Sequence, residues 1–277
     1  MGTVVAILLG VAVGHLPSAS ATDQAWRGPE AVVIPSGPLE LRALVWRPKG
    51  NGPFPAILFN HGSGPRSESD GDTLGPLFAR HGYVFLFPFR RGQGPSMGQG
   101  VDSDALLDRE LKLNGEGARD RLQVRLLETD QLSDAVAALN LLRSLPQVDA
   151  RRVAAVGHSF GGSLTLLLAE RDGGLRASVV FAGAAASWDR CPPLRARLLE
   201  AVRRTSVPTL FVYAANDFSV APAQDMGAQM SRLAKPHDVR IYPAFGATSA
   251  DGHRLVYLGS STWEHDVFLF LDEHVGR

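Results

Sequence analysis

Arg151-Arg152-Val153-Ala154-Ala155-Val156-Gly157-His158-Ser159-Phe160-Gly161-Gly162, continued by Ser163-Leu164-Thr165-Leu166-Leu167-Leu168-Ala169-Glu170, is the stretch whose reading decides the fold. A short apolar run rich in Val and Ala meets Gly157-x-Ser159-x-Gly161, and a Leu-rich segment without proline follows. That order spells a strand, a sharp turn and a helix, with a serine at the apex. Such a turn forces the serine backbone into a strained conformation and lifts its hydroxyl clear of the sheet. Residues 157 and 161 are glycine because strand and helix backbones crowd together there. Five residues are weak evidence alone, so the surrounding chain has to supply the context.

It does so on both sides. Upstream, Leu39 to Arg47 alternates apolar and polar residues and reads as an antiparallel edge strand, after a lead-in containing Pro and Gly. Pro55 to Asn60 and Tyr83 to Phe89 are continuous apolar runs, as strands buried on both faces would be. The first ends in His61-Gly62-Ser63-Gly64-Pro65, the second in Arg90-Arg91-Gly92-Gln93-Gly94. Thr73 to His81 reads as a short helix between them. Val101 to Gln123 is highly charged and broken by Asn114-Gly115-Glu116-Gly117, and residues 101–127 read as a cap or insertion. Val124 to Leu145 carries a helical stripe through Leu126, Leu127, Leu132, Val136, Leu139 and Leu142, which Pro146 stops. Downstream, Ser178 to Ala182, Thr209 to Ala214 and Val239 to Tyr242 are strands. A helix within Ala184 to Arg204 and another over Pro222 to Ala234 separate them. Pro243 to Gly252 is a loop that ends at His253, and Thr262 to Val275 is a closing amphipathic helix.

Apolar strands alternating with helices predict a mostly parallel central sheet covered by helices on both faces, an α/β fold. Ligands of such sheets bind beyond the carboxyl ends of the strands. The His61 loop, Ser159, Asp217 and His253 all fall there.

Composition narrows the function. Lys plus Arg and Asp plus Glu number 28 each, so the basic excess of a nucleic-acid or membrane-surface protein is missing. Residues 1–21 read as a signal peptide: Val4 to Val13 is apolar, too short to span a bilayer, and Ala19-Ser20-Ala21 precedes a cut at Thr22. No Lys or Arg precedes that run, which makes the signal atypical. The expectation is a protein exported to the periplasm or secreted, with residues 22–277 as one domain and no stable membrane association after processing. Cys191 is the single cysteine, so no intramolecular disulfide can form, and it reads as a small loop residue. Gly92-x-Gly94 lacks the third glycine of a dinucleotide fingerprint, and no phosphate loop, H-E-x-x-H or paired C-x-x-C occurs, so neither a cofactor nor a metal is expected. Oligomeric state is not legible in the sequence.

Together, Phe59-Asn60-His61-Gly62-Ser63-Gly64, Arg90-Arg91-Gly92-Gln93-Gly94, Gly157-His158-Ser159-Phe160-Gly161-Gly162, Asn216-Asp217 and Asp251-Gly252-His253 resemble the α/β-hydrolase superfamily, and within it the dienelactone-hydrolase-like branch. The resemblance runs from about Val32 to His274 and implies the α/β-hydrolase fold. It also places an acid at Asp217, ahead of the last strand. One residue departs from it: namesake dienelactone hydrolases use a cysteine nucleophile, and position 159 is serine, so their particular lactonase activity is not implied.

The chemistry can be argued from the residues too. A serine hydroxyl is a poor nucleophile until a base takes its proton, and the base must be oriented by a third group. The order Ser159, Asp217, His253 is that of this fold. An oxyanion hole would take one donor from the Phe160 backbone N–H and a second from the His61 loop, with Ser63 preferred to Gly62.

Each residue has a plainer reading. Asp217 could cap the helix starting near Val220. Asp225 and Asp251 are rival acids, and His237 and His265 rival bases. His158 reads as a packed or rim residue, and His61 as a brace for its own loop. Arg90 and Arg91 read as partners of carboxylates or holders of the adjacent glycine loop, in preference to contacts with an acidic substrate.

The expected function is hydrolysis of a small-molecule carboxylic ester through an acyl-enzyme. A thioesterase or acyltransferase would share that intermediate. A peptidase is a weaker reading, because related peptidases often carry a propeller domain for which this chain has no room. A non-catalytic binding protein on the same fold would be expected to lack one of the three residues.

Overall fold

The computed structural model describes residues 25–64 and 71–276, and the expected signal segment lies outside them. Among the described residues, eight strands form one sheet: β1 (Trp26–Ser36), β2 (Leu39–Pro48), β3 (Phe54–Asn60), β4 (Val84–Pro88), β5 (Val148–His158), β6 (Ala177–Phe181), β7 (Thr209–Ala214) and β8 (His237–Tyr242). Their order across the sheet is β1-β2-β4-β3-β5-β6-β7-β8. β2 runs antiparallel to both β1 and β4, and every other pairing is parallel.

The apolar runs are continuous because side chains alternate between two buried faces. Ala56 and Leu58 of β3 enter one core, Ile57 and Phe59 the other. The first core is closed by α4 (Leu132–Ser144), α5 (Phe160–Arg171), α6 (Pro192–Arg204) and α7 (Ala221–Arg232), through residues such as Leu139, Leu164, Leu198 and Met226. The second is closed by α1 (Gly75–Arg80) and α10 (Ser260–Val275), through Phe78, Trp263, Val267 and Phe268. Mostly parallel sheet and helices on both faces are as the sequence predicts.

Two local readings need correction. Leu39 to Arg47 is not an edge strand, because the lead-in before it forms β1 and pairs along its outer side. Gly28-Pro29 breaks the register there, and most of β1 faces solvent, so only the Val32, Ile34, Ser36 alternation marks it as a strand. The charged region forms two helices, α2 (Ser103–Asn114) and α3 (Glu116–Leu126), separated at Gly115 with φ 78°. The following helix is not regular: a π-helical turn at Leu127–Gln131 joins α3 to α4. That extra residue rotates the stripe, so Asp134 is buried while Leu132 and Val136 sit at the margin of the core.

Asp134 has a reason to be inside. Its carboxylate takes Arg91 Nε at 2.7 Å and Nη2 at 2.8 Å, and the Ser36 hydroxyl at 2.6 Å, so it ties α4 to the end of β1 and to the loop after β4. Removing the acid breaks this fork-to-carboxylate pair and leaves the partly buried guanidinium with Asp130, 2.9 Å from Nη1, as its remaining carboxylate. Asp134→Ala is expected to cost about 2 kcal/mol, the loss of charge-assisted hydrogen bonds without an unpaired charge left behind. Urea unfolding of the variant beside wild type measures it, and a loss under about 1 kcal/mol would mean the pair behaves as an exposed one.

The chemistry-bearing segments all leave the same edge of the sheet. The His61 loop follows β3, Ser159 follows β5, Asn216-Asp217 follows β7, and His253 arrives after β8.

Candidate active site

Ser159 caps the N-terminus of α5 with φ 55° and ψ −117°, a conformation that costs a non-glycine residue on the order of 1–3 kcal/mol. Neighbours hold it there. Its N–H donates to Phe181 O at 2.9 Å, extending the ladder to β6, and its C=O accepts from Ser163 N at 3.1 Å. The two flanking glycines are steric necessities. A Cβ on Gly157 would stand 2.2 Å from Gly161 O, and one on Gly161 would stand 1.9 Å from Asn60 O.

The strained turn aims the hydroxyl at His253. Ser159 Oγ lies 2.9 Å from His253 Nε2, and His253 Nδ1 lies 2.8 Å from Asp217 Oδ1. A proton on Nδ1 shared with the carboxylate leaves Nε2 as the acceptor for the serine O–H. The Asp217 side chain is fully enclosed, and its Oδ1 also accepts the Phe218 N–H at 2.7 Å. Fixed on two sides, that carboxylate can set both the tautomer and the tilt of the ring. Asp217 does not cap α7, whose N-terminus at Val220 has no side-chain cap.

His253 is delivered by more structure than a loop. Ser249–His253 is a short helix, α8, started by Thr248 and Asp251 in a reciprocal cap, and α9 (Leu255–Leu258) follows it. Asn216 bridges back to this segment, accepting from Phe245 N at 2.8 Å and donating to Phe245 O at 2.9 Å and Thr248 O at 2.8 Å. His158 Nε2 donates to the His253 carbonyl at 2.8 Å, so this packed residue steadies the neighbouring imidazole's backbone. Neither tie was legible in the sequence beyond a polar residue at a strand end.

The rivals are engaged elsewhere. Asp225 accepts from Trp188 Nε1 at 2.9 Å, and Asp251 is spent on the Thr248 cap. His237 pairs with Ser231 and the Lys235 carbonyl, and His265 is exposed on α10. Cys191 is buried at the N-cap of α6, and burial pushes its thiol pKa up, the opposite of what a thiolate nucleophile needs. Among the described residues, no cluster of three or more His, Cys, Asp or Glu side chains could hold a metal ion.

The His61 loop is braced as its residues suggest. His61 Nε2 accepts the Arg90 N–H at 3.2 Å, and Nδ1 donates to Gly62 O at 2.9 Å. Arg90, buried, donates to the carbonyls of His61 at 3.3 Å and Gly62 at 3.1 Å, while Arg91 pairs with Asp134. Both arginines therefore serve the structure, one holding the glycine loop and one a carboxylate.

A cavity of about 590 Å³ opens over Ser159, with Ser63, Phe160, Ser163 and His253 in its floor. Phe160 is the first helical residue of α5, where a backbone N–H has no acceptor within the helix. The walls come from the segments the sequence left least defined: Asp104, Leu107 and Asp108 of α2, Arg119 and Gln123 of α3, Arg190 in the turn ahead of α6, and Leu194 in α6. Phe218, half exposed, leans on the His253 ring with centroids 5.0 Å apart, and the exposed Leu258 lines the cavity.

Comparison with known proteins agrees with this architecture. Esterase EstD of Thermotoga maritima is 30% identical over 128 residues, which make up 45% of this chain and 26% of that protein. Among solved structures, the acylaminoacyl peptidase of Pyrococcus horikoshii superposes with a TM-score of 0.63 at 19% identity, over 88% of this chain and 40% of that one. The chain thus spans less than half the length of either relative. A dienelactone hydrolase-like promiscuous phosphotriesterase from metagenomic libraries matches nearly end to end, with a TM-score of 0.62 at 19% identity over 89% of this chain and 98% of that one. These likenesses establish the α/β-hydrolase fold. The profile of the dienelactone hydrolase family matches residues 41–265. That match runs from β2 into α10 and takes in every element that carries Ser159, Asp217 and His253; the chain belongs to the dienelactone hydrolase family.

Proposed function

We propose that this protein is a serine hydrolase that cleaves carboxylic esters through an acyl-enzyme. The observation that carries the reading is the continuous relay from Ser159 Oγ to His253 at 2.9 Å and on to Asp217 at 2.8 Å, at the floor of an open cavity. His253 Nε2 removes the serine proton as Oγ attacks the ester carbonyl, and Asp217 stabilises the imidazolium. Negative charge gathers on the carbonyl oxygen, which the N–H groups of Ser63 and Phe160 receive. His253 then protonates the departing alkoxide, the alcohol leaves, and Ser159 is acylated. Water, deprotonated by His253, releases the acid by the same steps in reverse. Nothing in this sequence of steps calls on a cofactor.

The cavity argues for the substrate class. Its volume of about 590 Å³ suits a small molecule, and α2, α3 and the turn ahead of α6 bring Asp108, Arg119 and Arg190 to its wall. A charged wall of this kind favours short, polar esters over long acyl chains. The stretch shared with an esterase and the family's hydrolase character support the ester reading over a binding role. Export remains a proposal resting on residues 1–21 of the sequence.

A fluorophosphonate probe and a panel of p-nitrophenyl esters test this. Wild type is expected to label at Ser159, and its kcat/KM to peak at acetate or butyrate and fall toward laurate. Failure to label together with no ester turnover at neutral pH would defeat the esterase reading. Rates rising steeply toward long chains would defeat the short-ester preference alone.

A further inference from the structure

We propose that Arg90 is a positioning residue that builds the oxyanion hole by holding its two halves in register, with Asp104 anchoring the far side of the loop. The proposal rests on the esterase reading above and adds to it two residues that act through the backbone of the His61 loop.

Three observations carry it. The Arg90 guanidinium donates to Gly62 O at 3.1 Å and to His61 O at 3.3 Å. The peptide between Gly62 and Ser63 is trans, so its C=O and N–H point in opposite directions. Pinning the Gly62 carbonyl on Arg90 therefore turns the Ser63 N–H the other way. Gly62 itself is pressed against the serine turn: a Cβ there would stand 3.2 Å from Ser159 Cβ and 2.8 Å from His158 Nδ1. The peptide thus lies between Arg90 and the serine, with Ser63 on the cavity.

The second half of the hole is held by the same group. Arg90 Cζ sits 4.3 Å from the centroid of the Phe160 ring, a cation–π contact with the residue whose N–H is the other donor. One guanidinium thus touches the residues on both sides of the developing oxyanion. Beyond Ser63, Gly64 N donates to Asp104 Oδ2 at 2.7 Å, so Ser63 is strung between two anchors. The anchors are themselves joined, for Arg90 donates to Gln93 Oε1 at 3.3 Å and Gln93 Nε2 to Asp102 Oδ1 at 2.8 Å, at the head of the same helix as Asp104. Preorganised donors matter most in the transition state, so loosening them should strike kcat and spare KM.

Arg90→Met, Arg90→Lys, Asp104→Ala and Asp104→Asn would be assayed on p-nitrophenyl acetate. Each would also be titrated with an alkylboronic acid, whose tetrahedral serine adduct places an oxygen in the hole. Arg90→Met is expected to lower kcat about 10²-fold with KM within about twofold, and to weaken boronate binding in parallel. Arg90→Lys, a point charge without the fork, should recover only part of the loss. Asp104→Ala should lose about tenfold in both readouts, and Asp104→Asn, which keeps an acceptor oxygen, should regain most of it. Loss of kcat in a cooperatively melting Arg90→Met with boronate affinity intact would overturn the proposal, as would unchanged kcat. Should Arg90→Met fail to fold, the Asp104 pair decides by the same two readouts. A wild type that neither labels nor turns over would overturn the esterase reading and this one together. An active wild type with unaffected variants overturns this one alone.

Discussion

Replacing Ser159 with alanine is expected to lower kcat for ester hydrolysis by about 10⁶-fold, leaving only what the oxyanion donors and binding supply. The effect should be this large because the hydroxyl is the one group placed both at 2.9 Å from His253 Nε2 and at the cavity floor. No neighbour can replace it. Ser163, one turn along α5, also lines the cavity, but its hydroxyl has no base within hydrogen-bond reach among the described residues, and burial pushes the Cys191 thiol pKa up. Thermal stability should scarcely change in Ser159→Ala, since alanine inherits the same φ of 55°. Ser159→Gly is the informative companion. Glycine adopts positive φ without strain, so that variant should be equally inactive yet more stable, by about 1 kcal/mol. Single-turnover release of p-nitrophenol and thermal melts of both variants check the pair of expectations. A Ser159→Ala protein retaining more than about 1% of wild-type kcat would remove the serine from the reaction.

Asp217→Ala should lower kcat by about 10⁴-fold, less than loss of the serine because His253 can still act as a base when it finds the right orientation. Asp217 Oδ1 accepts both His253 Nδ1 and the Phe218 N–H, so the carboxylate orients the ring and balances its charge. Asp217→Asn separates these roles. Its oxygen can keep both hydrogen bonds, while the negative charge is gone and an N–H₂ replaces the buried Oδ2, which has no partner among the described residues. Activity in Asp217→Asn close to that of Asp217→Ala would make charge the dominant contribution; recovery toward wild type would make it orientation. The rate of fluorophosphonate labelling should fall in step with kcat in both. If labelling stays at the wild-type rate, Asp217 does not act on the nucleophile through His253.

How much of this was legible depends on how local the signal is. The serine turn was, because its requirements sit within five residues: two glycines where backbones meet, and a serine between a strand and a helix. Buried parallel strands were too, since a strand covered on both faces must be apolar along nearly its whole length, as β3 and β7 are but for Asn60 and Thr209. β1 was missed for the converse reason, being an edge strand with a mostly solvent-facing surface and a broken register. The π-helical turn was missed because one extra residue in a helix leaves no mark on composition. At the site, the chain order named Ser159, Asp217 and His253, but not the residues that steady them. Asn216, His158 and Asp104 act through backbone groups far away in sequence, and a hydrogen bond to a backbone atom carries no residue signature.

The sequence by itself determined the parallel sheet, its two apolar faces and the end of it where chemistry gathers, because strand burial and turn sterics are properties of neighbouring residues. Tertiary structure decided the rest: which acid and which histidine meet the serine, how α2, α3 and α6 wall the cavity, and how Arg90 grips the loop beneath it. Those are distances between residues up to about a hundred positions apart, such as Ser159 and His253, and only the packed sheet sets them.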